Sequence, residues 1–333
     1  MVSVIIVNYN GEKIIINCLS SLIEQTYQNF HILIIDNFSS DGSVETIDGF
    51  LEKKSLKHKA VVISLKENLG FAGGNIEALK HTPKEKYIVL LNNDTEVDKK
   101  WLEQLIFHME ENPDVGICAS KLVTYGANCI DSAGDGYTMF LKGDKRGEGQ
   151  EQCRYETKEY VFGACAGAAI YRREMLEEIG FLDEDFFLIY EDTDLNFRAQ
   201  LAGWKVMYVP TAIVQHKVRS SIGELSDKAI YYSLRNSELV RIKNIPLGIF
   251  FRCLPWFIIG GIGELIYFSF RHKRFRLYLR AKMDALKMFP LMLKKRKEIM
   301  KNKKVSNKYI MSIITSIWQR DFFLSKIRKF FHG

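Results

Sequence analysis

The chain has 333 residues, 47% of them apolar, and no low-complexity tract, which excludes a disordered or fibrous protein and allows one large domain with an appendage, or two domains. Its net charge of +7 conceals a division: residues 1–270 carry 28 basic and 37 acidic side chains, whereas residues 271–333 carry 19 and 3. An acidic body with a strongly basic tail indicates a tail that meets an anionic surface, either a membrane or a nucleic acid.

The first half of the chain alternates strand-like apolar runs with helical periodicity. It predicts strands at 2–7, 31–36, 60–65 and 87–93, helices at 12–25, 76–80 and 98–112, and a glycine-rich loop at 68–75. This alternation is typical of a parallel sheet covered by helices on both faces. Ligands of such sheets bind at the carboxyl ends of the strands, so Asn8, Asp36 and Asp94, which follow three strands, should converge on one cleft.

The second half has a less regular pattern. It predicts a strand rich in small residues at 160–173, a helix at 191–202, strands at 205–209 and 212–216, and a helix at 226–245. Residues 253–270 form an apolar run with one charge, Glu264, and the basic sequence RHKRFR follows directly. Near the end, apolar residues between Ile310 and Ile327 recur at helical spacing beside Trp318 and a basic cluster.

The six cysteines are scattered without a Cys-x-x-Cys pair, which disfavours a zinc site. No signal peptide precedes the first strand, so we expect a cytoplasmic protein with reduced thiols.

Several acidic residues are candidates for chemistry, and each has a simpler interpretation. Asp94, in LLNNDTEV (90–97), offers the hard oxygen ligand that Mg²⁺ or Mn²⁺ prefers, but an aspartate after a strand often caps the next helix. Asp36 could accept an N–H from a nucleobase or begin an Asx turn. Glu191, Asp192 and Asp194 favour a helix N-terminus, yet three acids within four residues exceed what capping requires, so one is a candidate general base.

Taken together, seven segments resemble the inverting nucleotide-sugar glycosyltransferases of family 2, which have the GT-A fold. They are VSVIIVNYNG, IIDNFSSDGS, NLGFAGGN, LLNNDTEV, GACAGAAIYRREMLEEIGFLDEDFF, YEDTDLNFRAQLAGW and VQH, in the family's order over about residues 1–220. The resemblance is to a bacterial rhamnosyltransferase-like branch of surface-polysaccharide synthesis. It implies a Rossmann-like, mostly parallel sheet with helices on both faces.

The resemblance also implies roles for individual residues. Asp94 is the metal-binding acid for Mg²⁺ or Mn²⁺, His216 matches a metal-ligating histidine of some branches, and Asp192 is the catalytic base. Glu191 and Trp204 are expected on the acceptor side, with a core role as the alternative for Trp204. The nucleotide pocket is expected to include Asn8, Asn10, Asp36, Asn68, Gly70 and Asn93, with Asp36 accepting the base N3–H and Asn93 contacting ribose.

Two departures from the family pattern matter. Asn92 holds the place of the first acid of the DxD motif, which predicts weaker metal binding or reliance on His216. The stretch QLAGW (200–204) lacks the arginine of the processive QxxRW motif, which disfavours polymer synthesis by repeated addition. A sugar-nucleotide pyrophosphorylase is disfavoured because NYNGEK is not its glycine-rich signature, and a non-catalytic membrane-bound adaptor is disfavoured by the intact acids.

The predicted organisation is a catalytic domain at 1–225 and a helical, basic, membrane-associating region at 226–333. The predicted activity moves a sugar, first L-rhamnose from dTDP-rhamnose and alternatively a UDP-linked sugar, to a saccharide or lipid-linked acceptor. The expected location is the inner face of the cell membrane, bound peripherally or monotopically to an anionic surface and not to nucleic acid.

Overall fold

The computed structural model describes residues 1–56, 58–82, 84–217 and 226–316. The strands are β1 Val2–Asn8, β2 Phe30–Asp36, β3 Ala60–Ser64, β4 Tyr87–Leu91, β5 Thr95–Val97, β6 Val115–Thr124, β7 Ile130–Ser132, β8 Asp135–Tyr137, β9 Gly143–Lys145, β10 Glu159–Tyr160, β11 Ala168–Arg172 and β12 Lys205–His216. The helices are α1 Ile15–Ile23, α2 Ser43–Lys53, α3 Gly70–Leu79, α4 Trp101–Glu111, α5 Arg173–Ile179, α6 Glu191–Ala202, α7 Asp227–Asn244, α8 Leu247–Ile266, α9 Phe275–Lys287, α10 Phe289–Lys301 and α11 Asn307–Ile313. A 3₁₀ turn, Glu184–Phe186, and a π-helical turn, Tyr267–Arg271, complete the regular structure of these ranges.

One central sheet has the strand order β10-β12-β6-β11-β4-β1-β2-β3, with β5 added beside β12 and β7 beside β6. Strands β3, β2, β1 and β4 are parallel, as predicted. Strand β11 runs antiparallel between β4 and β6, while β12 is parallel to β6. The sheet is therefore mixed, and the prediction of a mostly parallel sheet holds for its first half.

Successive side chains of a strand point to opposite faces of the sheet, so the strands contribute to two hydrophobic cores. On one face, Val4 and Ile6 of β1 pack with α1, α2 and α4. On the other face, Ile5 of the same strand packs with α3, α5 and α6. Helices on both faces confirm the predicted α/β class and explain why the strands read as continuous apolar runs.

Three predicted segments differ from the structure. The stretch 68–75 is mostly helix, because α3 begins at Gly70, and its glycines allow close packing: a Cβ on Gly74 would lie 2.9 Å from Val7 Cγ1. The strand predicted at 160–173 is split into β10 and β11, and the two strands predicted at 205–216 are one, β12, interrupted by a bulge between Val209 and Ile213.

A long interior strand escaped prediction. β6 is buried almost throughout, but Gly116, Ser120 and Lys121 interrupt its apolar pattern. Lys121 is buried because its ammonium bonds to Glu156 at 2.5 Å, a contact over 35 residues that local pattern does not reveal.

Helices α7–α11 pack against the body, and they share a core with α6 through Leu239, Ile249, Met292 and Ile310. The predicted helix 226–245 is confirmed as α7. The part of the predicted terminal helix after residue 316, including Trp318 and Ile327, lies outside the described residues.

Candidate functional site

The first part of the site is a buried cluster of polar side chains at the ends of β1, β2 and β4. Asn8 and Asp36 are register partners in the parallel pair, so their side chains meet at the sheet edge. Asn8 Nδ2 donates to Asp36 Oδ1 at 3.2 Å, and Asn93 Nδ2 donates to Asn8 Oδ1 at 2.8 Å. Of the predicted trio Asn8, Asp36 and Asp94, the first two are in contact, and Asn93, the neighbour of Asp94 in the chain, completes the cluster.

The backbone after β1 follows this cluster closely. A Cβ on Gly11 would lie 2.1 Å from Asn8 Oδ1 and 2.4 Å from Asn93 Nδ2, so any side chain here would displace this hydrogen-bonded pair of amides. Asn10 has a left-handed φ of 51°, and its Oδ1 accepts a hydrogen bond from Ser40 N at 2.8 Å. The loop after β1 is thereby tied to the loop after β2.

Asn68 and Gly70 lie at the start of α3. Asn68 Oδ1 accepts hydrogen bonds from Gly70 N at 2.8 Å and from Asn37 Nδ2 at 3.1 Å. Gly70 has a φ of +72°, and a Cβ there would lie 2.3 Å from Phe187 O. Asn37, which the sequence did not single out, also accepts from Leu69 N and so fixes the helix start beside Asp36.

The second part of the site pairs Asp94 with His216. The end of β12 lies beside β5, with His216 opposite Thr95, and this register brings His216 Nε2 to 3.3 Å from Asp94 Oδ1. That distance is an ion-pair contact without hydrogen-bond geometry, and Asp94 Oδ1 is buried with no hydrogen-bond partner among the described residues. A buried carboxylate oxygen that lacks a hydrogen-bond partner is suited to binding a ligand.

Asp131 holds the other side of His216. His216 Nδ1 lies 2.8 Å from Asp131 Oδ2, and Lys145 Nζ donates to Asp131 Oδ1 at 2.7 Å. Burial alone would raise the pKa of Asp131, but the contacts with His216 and Lys145 outweigh burial and lower it to about 2. Burial alone would lower the pKa of His216, but Asp131 and Asp94 raise it to about 9. The buried carboxylate of Asp131 therefore orients the imidazole of His216.

The third part of the site surrounds Asp192 in the first turn of α6. Ala166 N donates to Asp192 Oδ2 at 3.3 Å and Thr193 N donates to Oδ1 at 2.6 Å. One ligand atom from each of Asp135, Cys165 and Asp192 lies within 4.8 Å of the others. Burial raises the pKa of Asp192, and backbone hydrogen bonds oppose that rise.

Asp135 and Cys165 differ from Asp192 in their protonation. Burial and the charge of Asp192 raise the pKa of Asp135 to about 8, and burial raises the pKa of the Cys165 thiol well above its usual range. The Cys165 thiol therefore keeps its proton near neutral pH, and the neighbouring charge of Asp192 disfavours ionisation of Asp135.

Two places could hold a divalent cation, and their chemistry separates them. Mg²⁺ and Mn²⁺ prefer hard oxygen ligands and accept imidazole, and the Cys165 thiol suits them poorly. Asp94 and His216 instead offer an oxygen without a hydrogen-bond partner and an imidazole anchored by Asp131. A cation bound there would replace the proton that Asp131 and Asp94 keep on the imidazole up to about pH 9. The residues present therefore fit the predicted cation at Asp94 and His216.

Glu191 and Asp194 have different environments from Asp192. Glu191 is buried, its Oε2 has no hydrogen-bond partner in the described part of the chain, and burial together with Asp192 raises its pKa well above the usual range. Asp194 is fully buried and accepts from Arg198 Nε at 2.9 Å and from Lys243 Nζ at 2.8 Å. The sequence-based expectation that Asp194 serves the helix N-terminus is therefore corrected, because it joins α6 to α7.

Trp204 follows the far end of α6, and the helix from Asp192 to Ala202 separates the two by about 15 Å of helical rise. Its Nε1 donates to Glu178 Oε2 at 2.9 Å, and its ring packs against the core beside α5. This placement favours the core role over acceptor contact.

Sequence reasoning missed Asp131, Asp135, Lys145 and Cys165. All four lie on or beside the irregular segment between β6 and β11, where strands of two or three residues carry no periodic pattern. The available signal was the stretch DSAGDG (131–136), which has two carboxylates four residues apart among small residues.

The family described as "Glycosyl transferase family 2" matches residues 3–180, more than half of the chain. Glycosyltransferase GlyA of Streptococcus pneumoniae serotype 4 is 27% identical over 230 residues, which cover 68% of this chain and 31% of that protein. Poly-beta-1,6-N-acetyl-D-glucosamine synthase of Staphylococcus epidermidis is 23% identical over 241 residues, covering 72% and 55%.

The chain spans about a third of the length of the first curated relatives it matches. Among solved structures, S. aureus TarS 1–349 in complex with UDP-GlcNAc is similar with a TM-score of 0.56 and 17% identity, covering 90% of this chain and 88% of that chain. GalNAc-T7 with UDP, GalNAc and Mn2+ is similar with a TM-score of 0.58 and 17% identity, covering 72% and 47%. These structures show that the chain has a GT-A-like fold.

Proposed function

Because the chain belongs to glycosyl transferase family 2, we propose that it transfers a sugar from a nucleoside diphosphate donor to a hydroxyl of a saccharide or lipid-linked acceptor. The observation that carries the proposal is the arrangement at one edge of the sheet. Asn8, Asp36 and Asn93 form a polar cluster, and Asn93 is followed in the chain by Asp94 of the Asp94–His216 pair. Lys145 bonds to Asp131, the partner of His216, and its charge also acts on Asp192.

The donor is proposed to be a pyrimidine nucleotide sugar. Asp36 Oδ1 and Oδ2 accept from Asn8 and Ser39, and the carboxylate has remaining lone pairs for the N3–H of uracil or thymine. UDP-GlcNAc and UDP, with which TarS and GalNAc-T7 were solved, support a uridine donor. L-Rhamnose from dTDP-rhamnose remains the alternative that follows from the sequence resemblance.

Asp94 and His216 are proposed to hold Mg²⁺ or Mn²⁺ beside the donor diphosphate. A cation bound there would neutralise the negative charge that develops on the departing nucleoside diphosphate. Asn92, in place of the usual first acid of the motif, leaves Asp94 as the carboxylate ligand next to His216. Mn2+ in the GalNAc-T7 structure supports the choice of ion.

Asp192 is proposed to take the proton of the acceptor hydroxyl as that oxygen attacks the anomeric carbon. Hydrogen bonds from the N–H groups of Ala166 and Thr193 hold its carboxylate in one rotamer. The remaining lone pairs of the carboxylate would then be available to the acceptor hydroxyl. Attack opposite to the leaving group in one displacement inverts the anomeric centre. Glu191, buried behind the base, stays a candidate acceptor-side residue.

The proposal is tested with the purified full chain, a panel of UDP- and dTDP-linked sugars, simple saccharides as acceptors with water as the fallback acceptor, and detection of the released nucleoside diphosphate. We expect release with one donor, loss of release in excess EDTA, and recovery with Mn²⁺. Asp94→Ala should abolish the metal-dependent rate with an unchanged melting temperature. Full turnover in excess EDTA would overturn the metal assignment, and absence of turnover with every donor would count against transfer.

A further inference from the structure

Helix α8 has an inner face that packs against the body along the whole helix. Three of its residues are buried: Ile249 in the first turn, Cys253 one turn later and Glu264 in the last turn. Between them, Gly260 approaches Phe140 so closely that a Cβ would lie 2.9 Å from the ring. The intervals of 4, 7 and 4 residues place these four positions on one side of a helix.

The opposite face of α8 is apolar and exposed. Phe251, Ile258 and Ile262 are 65%, 50% and 54% exposed, and the same surface continues in Leu247, Ile259, Leu265 and Ile266. These side chains recur at intervals of three, four and seven residues on the side away from Ile249 and Glu264. A continuous apolar face of this size marks a surface that meets another apolar phase.

The contacts of Glu264 decide how α8 can meet that phase. Its carboxylate bonds to Lys142 in the β8–β9 turn and to Lys282 Nζ of α9 at 2.8 Å. The helix has 20 residues, about 30 Å, and this length is sufficient to span a bilayer. However, both of its ends are attached to the body, so a spanning orientation would draw charged residues into the hydrocarbon. The inner face therefore restricts α8 to a position parallel to a membrane surface.

The charges around α8 suit an anionic surface. Residues 271–316 carry 15 basic and 2 acidic side chains, and four of the basic ones lie in RHKRFR immediately after α8 and its π-helical turn. Helix α9 repeats the amphipathic pattern, with exposed Phe275, Leu279, Met283 and Leu286 at intervals of 4, 4 and 3. Apolar faces bordered by basic residues are typical of helices that lie in the headgroup region.

We propose that α8 lies in the plane of an anionic lipid bilayer, with the face of Phe251, Ile258 and Ile262 immersed and Glu264 turned towards the body. The inference rests on the proposed function in one respect: membrane binding would bring lipid-linked acceptors to the cleft. Lys142, which holds Glu264, is in the turn between β8 and β9, and Lys145 of β9 bonds to Asp131 in the site. The docked helix is thus joined to the site through one hairpin.

The test is flotation of the purified full chain with vesicles of phosphatidylcholine alone or mixed with phosphatidylglycerol. Wild type should float with the anionic vesicles, and high salt should reduce the bound fraction because it screens the basic residues. The double variant Ile258→Glu/Ile262→Glu should reduce the bound fraction on the order of tenfold or more, because two apolar anchors become charged. Lys273→Glu/Arg276→Glu should reduce binding to anionic vesicles without altering the apolar face.

The matched control is Val61→Glu/Phe107→Glu, which places the same charges at exposed apolar positions of β3 and α4 and should float like wild type. Flotation of Ile258→Glu/Ile262→Glu at the wild-type level would overturn the proposal. If wild type does not float but is a dimer that this variant converts to monomers, the face binds a second copy and the proposal is wrong. Nucleotide release from a soluble acceptor reaction without vesicles tests the proposed function separately.

Discussion

The Nδ1 atom of His216 lies 2.8 Å from Asp131 Oδ2, so a buried carboxylate holds the imidazole while Nε2 faces Asp94. Histidine ligands of metals commonly donate their second N–H to such a carboxylate, which sets the tautomer and the ring orientation. Lys145 extends the arrangement by binding the other oxygen of Asp131. Asp131 is therefore a positioning residue for the proposed cation site.

Asp131→Asn should weaken Mn²⁺ binding about 10- to 100-fold, the usual effect of losing such a partner. Binding is measured by electron paramagnetic resonance titration of Mn²⁺ without donor, so the result does not depend on turnover. Asp98→Asn makes the same chemical change at an exposed carboxylate before α4 and should not alter the affinity. If Asp94→Ala weakens binding and Asp131→Asn does not, the positioning role is wrong and the cation site stands.

The parts of this site that the sequence could predict are those in regular elements. Asn8, Asp36 and Asp94 follow apolar strands, and parallel order alone places such residues at one edge. Asp131 and Lys145 come from an irregular segment, and the contact that makes Asp131 part of the site is with His216 of β12, 85 residues further along the chain. The role of Asp194 was also hidden, because Lys243, its partner, is 49 residues away on α7.

Gly11→Ala should lower nucleotide affinity, because the added methyl group would overlap Asn8 Oδ1 and Asn93 Nδ2 and separate the hydrogen-bonded pair. We expect a rise of at least about tenfold in the dissociation constant for UDP, because that change corresponds to the loss of one or two hydrogen bonds to the ligand. Isothermal titration calorimetry measures it. Gly49→Ala on α2, where a Cβ meets nothing within 4 Å, is the matched control and should bind UDP normally.

Glu238 predicts how acid affects the C-terminal helices. Burial alone would raise its pKa, but Arg241 and Lys282 lower it from 4.5 to about 2. A lowered folded-state pKa stabilises the protein fully above about pH 4.5, and the contribution is lost as the pH falls towards 2. Glu238→Gln should therefore melt at a lower temperature than wild type at pH 7, and the difference should shrink over that interval.

Melting curves recorded by circular dichroism across this pH interval test the effect. Glu111→Gln, at an exposed glutamate at the end of α4, should leave the melting temperature close to the wild-type value at each pH. A constant difference between Glu238→Gln and wild type down to pH 2 would contradict the assignment.

Asp192→Asn should separate donor binding from transfer. The amide is nearly isosteric but cannot take a proton, and its Oδ1 can accept from only one of Ala166 N and Thr193 N, which bond to opposite oxygens of the carboxylate. The loss of a general base commonly slows a reaction about 10²- to 10⁴-fold, so transfer should be at least ~100-fold slower. UDP affinity should remain near the wild-type value, because Asp36 and Asp94 are unchanged.

Asp194→Asn, two residues away on α6, provides the contrast in stability. Asp194 is fully buried between Arg198 and Lys243, so replacing its charge leaves Arg198 without a carboxylate partner among the described residues and Lys243 with Asp183 alone. Breaking such a buried arrangement costs about 3–5 kcal/mol of the free energy of unfolding, which urea titration measures. For the folded fraction of this variant, the transfer rate should stay within about tenfold of wild type. A transfer defect as large as that of Asp192→Asn, with wild-type stability, would reverse the two roles and make Asp194 the base.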